Sequence, residues 1–173
     1  MTTARQATGL PHIEALMRHF ADLRNGTHGQ DGDTVSRRGK ERHFERAVEL
    51  LHPYAVQVLE EFNASLLLGT GEVAACGLQR TPDKGLGESW TLSWPEQRAT
   101  GIAPITLLAY YGGGLHHPHL RGATVHDWPL NVFTPEQAAA EVPTLRAIAT
   151  GDLHNLVFQR DYRIVPAIKR AQQ

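Results

Sequence analysis

A chain of 173 residues with 41% hydrophobic content is long enough for one domain with a continuous core and short for two. Its 17 Lys and Arg stand against 18 Asp and Glu, which excludes the broad basic field that gathers nucleic acid or an anionic membrane surface. A single cysteine, Cys76, excludes an intrachain disulfide framework, a CxxC redox pair and a cysteine-rich zinc site.

The opening "MTTARQATGLPHIEAL" lacks the continuous apolar core of a signal peptide, and no stretch approaches the roughly 18–20 apolar residues of a membrane span. A soluble, cytoplasmic protein is expected. Residues 11–24 read as a first helix, with Pro11 in its first turn, Ile13, Leu16, Met17, Phe20 and Leu23 on one stripe, and Asn25-Gly26 as its stop. Residues 26–40, rich in Gly, Asp and basic side chains, read as a flexible loop whose run Arg37, Arg38, Lys40, Arg42 is a solvated surface. The chain therefore divides into an N-terminal helical arm and loop over 1–40 and a core domain over 41–173. An arm with an apolar face can clasp a neighbour, so a homo-oligomer is expected.

From Glu41 to Asn63 the residues Phe44, Val48, Leu51, Ala55, Val58 and Phe62 keep helical phase across His52-Pro53, predicting one core helix kinked at the proline or two nearly collinear ones. "LLLGTGEVAACGLQ" then predicts a buried strand and a turn. Trp90, Leu92 and Trp94 alternate with Ser89, Thr91 and Ser93, the period of a strand with one buried face. Residues 102–111 give a second strand, its start pushed by Pro104 to an edge or bulge. Residues 123–133 look extended. Thr134-Pro135-Glu136-Gln137 opens a helix with a capping-box pattern, restarted or kinked at Pro143 and stopped at Gly151. The tail "LHNLVFQRDYRIVPAI" reads as two short strands meeting at Arg160-Asp161. Helices followed by strands, with one late helix, predict an α+β fold with an antiparallel or mixed sheet packed on the kinked helix.

"GTGEVA" over 69–74 fits G-x-G-x-x-A, but Gly77 and Pro82 leave too little room for the helix that a dinucleotide site requires, so a tight turn is expected. The phosphate-loop and serine-hydrolase signatures are absent. Cys76, between Ala75 and Gly77, is read as a small buried residue rather than a nucleophile.

Chemistry concentrates in "GGGLHHPHLRGATVHDW", residues 112–128, which holds four of the ten histidines; the other six are read as scatter. Side chains two apart in an extended segment share a face, so His117 and His119 converge across Pro118. His126 joins them if the chain reverses at Arg121-Gly122 and returns as a neighbouring strand. Neutral imidazole is the common ligand of zinc, iron, copper and nickel, so these three are the candidate ligands of one divalent metal. Asp127, pointing away from His126, fits a supporting role behind a ligand. A structural loop, or an anion site built from Gly112–Gly114 N–H groups with His116, His117 and Arg121, are the alternatives.

"GGGLHHPH" resembles the glycine-rich approach to an H-x-H pair in cupin-type metal sites. The resemblance covers these residues alone: "LRGAT" holds no acid where that superfamily has its glutamate, and His154 is the one candidate for its distant second histidine motif.

Two function classes follow. In the first the protein is a small-molecule enzyme whose metal sits at the end of the sheet, with Arg121 and Asp127 as catalytic residues and Trp90, Trp94, Tyr110 and Trp128 lining an apolar cavity for the substrate. In the second it is a noncatalytic ligand-binding or interaction subunit in which the same aromatics are core.

Overall fold

The computed structural model describes residues 10–25 and 36–171. Helix α1 (Pro11–Asn25) is followed by α2 (Arg37–Leu66), which Ser36 opens by accepting a hydrogen bond on Oγ from Gly39 N–H. Most of the loop expected over 26–40 lies outside the described residues, and its last part is the first turn of α2. The helix carries Pro53 without interruption, and its predicted stripe is buried: Phe44, Val48, Leu51, Ala55 and Val58, with Phe62 packed at the margin.

α2 ends where Leu68 and Gly69 take left-handed backbone angles. Asn63 then holds the exit, accepting from Gly71 N–H and donating to Gly71 C=O. The G-x-G stretch is thus a helix-ending turn. The apolar run expected as a buried strand is split: Leu66 and Leu67 close α2 against the core, and β1 (Glu72–Ala75) is a largely exposed edge strand. For the same reason Cys76 is exposed, contrary to expectation, its Sγ accepting from Ser89 N–H.

β2 (Gln79–Arg80) and β1 both pair with β3 (Leu86–Ser93), which pairs with β4 (Ile105–Tyr111) after the short helix α3 (Pro95–Thr100). β5 (His119–Arg121) and β6 (Trp128–Pro129) extend the sheet, and every pairing is antiparallel. α4 (Pro135–Ala140) starts at Thr134, whose side chain accepts from Gln137 N–H as the sequence predicts.

The last third departs from the reading. α5 (Val142–Gln159) runs through Gly151 and takes in the first of the two expected strands, and a 3-10 turn (Tyr162–Ile164) and α6 (Pro166–Ala171) replace the second. Leu145, Ile148, Ala149, Asp152, Leu153 and Leu156 are all buried, at helical spacing across the glycine. Gly151 marks a close approach instead of a stop: a Cβ there would lie 3.1 Å from a Val125 methyl.

The result is a single α+β domain of two layers. α2 and α5 pack on one face of the sheet, where Leu86, Trp90 and Leu92 of β3 meet Ile105, Leu107, Ala109 and Tyr111 of β4. Ser89, Thr91, Thr106, Leu108 and Tyr110 lie on the other face. α1 packs on its own domain through Ala15, whose C=O accepts from the Asn131 side chain. Leu16, Met17 and Phe20 of the expected apolar stripe stay exposed. No described helix is long and apolar enough to cross a membrane.

Candidate functional site

The glycine-rich approach to the histidines is fixed from two sides. Arg37, expected on a solvated surface, lies 3.6 Å above the Tyr111 ring and donates to the carbonyls of Tyr111, Gly112 and Leu115. Glu41 holds the same guanidinium at 3.1 Å and takes two hydrogen bonds from Arg80. Arg80 and then Arg37 keep its carboxyl below the ordinary range, so the clasp stays charged. On the other side Gly113 N–H donates to Asp83 at 2.8 Å, and a Cβ on Gly113 would collide with Asp83 C=O. The glycines therefore serve close backbone approach, and a carboxylate of the chain itself takes the Gly113 N–H that an anion site would use.

β5 opens at the end of this loop. His117 Nε2 and His119 Nε2 lie 3.1 Å apart, as the two-residue spacing predicts. The pairing of Tyr110 with His119 and of Leu108 with Arg121 puts His119, Arg121 and Tyr110 on the open face of the sheet. Tyr110 donates its hydroxyl to Asp127 at 3.2 Å, stacks obliquely near His119, and carries Arg121 5.4 Å from its ring centre. Five of the residues singled out from sequence thus form one surface cluster: His117, His119, Tyr110, Arg121 and Asp127.

The others are elsewhere. The chain does reverse after Arg121, with Gly122 N–H bonded to Val125 C=O, but the register sets Pro129 opposite His119. His126 lies back in the turn, exposed and 4.0 Å from Asp127. Trp90 and Trp94 are fully buried, donating from their indole N–H groups to His52 Nδ1 and to Ile164 C=O. Trp128 is half-buried against the core from β6. His154 is exposed on α5 beside Asn155, and the fold is one sheet with helices rather than the double-sheet roll of cupins, so that resemblance ends with the loop.

One ligand candidate was read as scatter. His19 of α1 sets its ring edge-on to His117, with centroids 3.9 Å apart. No local signal announces it, because the contact joins an N-terminal helix to a distant loop. Burial lowers the His119 pKa, His19 adds to that, and Asp127 opposes it. His119 is therefore neutral at neutral pH, with its Nδ1 buried and unpaired. Burial first, and then Asp127, raises the Tyr110 pKa, which keeps its hydroxyl a donor.

Among the described residues no group of three or more His, Cys, Asp or Glu side chains converges as a ready metal shell. No family model matches the chain, and neither a curated protein nor a solved structure matches it.

Proposed function

We propose that the protein is a small-molecule enzyme that holds one divalent transition metal on His117 and His119, on the open face of the sheet. The observation that carries this reading is the 3.1 Å between their Nε2 atoms. Two nitrogens about 2.0–2.1 Å from one ion are about 2.9 Å apart at a right angle and about 3.4 Å apart at the tetrahedral angle, and the pair falls between. His119 supports it as an imidazole that burial keeps in the neutral form, the form that coordinates. His19 takes the third place expected of His126, since its ring already touches His117. Bound zinc, iron, copper or nickel would supply Lewis acidity or an activated water. Arg121 would orient a substrate carboxylate, and Tyr110, held by Asp127, would offer a proton donor beside it.

The competing reading, a noncatalytic binding subunit with a structural histidine loop, draws on the same distance, since 3.1 Å also suits an N–H···N hydrogen bond between neutral rings. Elemental analysis after reconstitution separates them. Wild type is expected to keep a substantial fraction of one equivalent of metal, and His117→Ala and His119→Ala to lose it. His154→Ala should keep it, and comparing His19→Ala with His126→Ala identifies the third ligand. Chelation should lower the melting temperature of wild type alone or with His154→Ala. Equal binding by all variants, or by none, turns the assignment to the structural reading.

A further inference from the structure

Glu88 breaks the pattern of the inner sheet face. It shares that face with Leu86, Trp90 and Leu92 and is only 7% exposed. Among the described residues its carboxylate has no hydrogen-bond donor. Its ion-pair contact is His52 Nδ1 at 3.6 Å, and that nitrogen already accepts from Trp90 Nε1 at 3.0 Å. A ring nitrogen that accepts from an indole has its lone pair engaged there and no proton to give, so His52 Nδ1 does not donate to Glu88. An acid this deep in the sheet face, with its oxygens turned to a cavity and no donor among the described residues, leaves its charge to be met by whatever fills that space.

The carboxylate opens on a cavity of about 430 Å³ lined by Glu45, Val48, Glu49, His52, Leu78 and Glu88. That volume lies within the usual range for small-molecule sites, about 300–1,000 Å³. α2 supplies Glu45, Glu49 and His52 at spacings of four and three residues, so one helix face presents them over about 10 Å. None of the six lining residues is a permanent cation. Arg46 pairs with Glu49 at the solvent edge, and Arg80, near Glu45, is taken by both oxygens of Glu41. Val48 and Leu78 add an apolar wall, and no three of the acids and His52 converge as a metal shell.

We propose that this cavity binds an aliphatic diamine or polyamine. One primary ammonium is held by Glu88 at the floor, the methylene chain lies along Val48 and Leu78, and a second ammonium meets Glu45 and Glu49 at the rim. The site is independent of the histidine cluster: Glu88 faces the helices opposite Ala109, whereas its neighbour Gly87 pairs with Tyr110 on the open face.

Isothermal titration of the full-length protein with 1,4-diaminobutane tests this, with 1,4-butanediol as the uncharged isostere and magnesium chloride as the inorganic cation. The diamine should bind saturably at one site and the diol should not bind. Glu88→Gln should weaken the diamine at least about tenfold. Without amine this variant should melt no lower than wild type, since it relieves an unpaired buried charge; a purely structural glutamate would give a lower melting temperature. The exposed rim variant Glu45→Gln/Glu49→Gln, which leaves the core untouched, should weaken binding several-fold. The proposal is overturned by no saturable binding up to about 10 mM diamine, by equal binding of the diol, by magnesium binding that depends on Glu88 in place of amine binding, or by wild-type affinity in both variants.

Discussion

Asp152 shows how one side chain can hold three elements together. Fully buried on α5, its carboxylate accepts from Thr106 N–H at the start of β4, from Ala123 N–H, and from Thr124 N–H and Oγ1–H in the turn between β5 and β6. Gly122 makes the approach possible, because a Cβ there would lie 2.9 Å from Asp152 Oδ1. Asp152→Ala leaves these donors unsatisfied and should cost on the order of 3–5 kcal/mol, read from the urea midpoint. His119 makes a second prediction. Its pKa in the fold lies below the ordinary 6.5, so the unfolded chain binds its proton at higher pH than the folded one. The stability this imidazole supports is complete above about 6.5, declines as the pH falls through that value, and levels off below the lowered pKa. Urea midpoints across this window should fall in wild type and fall less steeply in His119→Gln. The role of Asp152 is not legible in the sequence beyond its type. Asp152 stands in "TGDLHN" with its donors far away along the chain, whereas the meeting of His117 and His119 is local and follows from strand geometry.

Elements were legible where one period runs uninterrupted. α2 keeps its phase across Pro53 because a proline removes a single backbone donor while the buried stripe on either side continues. Leu51, fully buried in that stripe, should cost about 2–5 kcal/mol when changed to Ala, and a thermal or urea melt checks it; a near-neutral result would take α2 out of the core. β3 is equally plain in Trp90, Leu92 and Trp94, and the same alternation sets Glu88 on the inner face. α5 departs from its sequence expectation because Gly151 and the polar Arg160-Asp161 pair carry the local signals of breaks in a helix. The packing of Leu153 and Leu156 against the core outweighs the modest helix penalty of one glycine, about 1 kcal/mol relative to alanine.

For the whole molecule, what remained hidden is what closes over distance: α1 onto the histidine loop, Arg37 onto the glycines, and the α5 carboxylate onto the start of β4 and the turn after β5. Burial of Trp90 and Trp94 also reverses their expected use, since aromatics that alternate on a one-sided sheet go to the covered face and leave the uncovered one to Tyr110, His119 and Arg121. β3 and β4 therefore carry two chemistries interleaved residue by residue, one facing the helices and one facing water. In hereditary terms these segments are open to substitution but closed to changes of length. Loss of a single codon between positions 105 and 109 would exchange the two faces from that point to the end of β4, putting Tyr110 among the helices and Tyr111 in its place beside His119. A library that samples single-residue deletions should lose folded protein throughout these strands, while point changes at Ser89, Thr91 and Thr106 should survive.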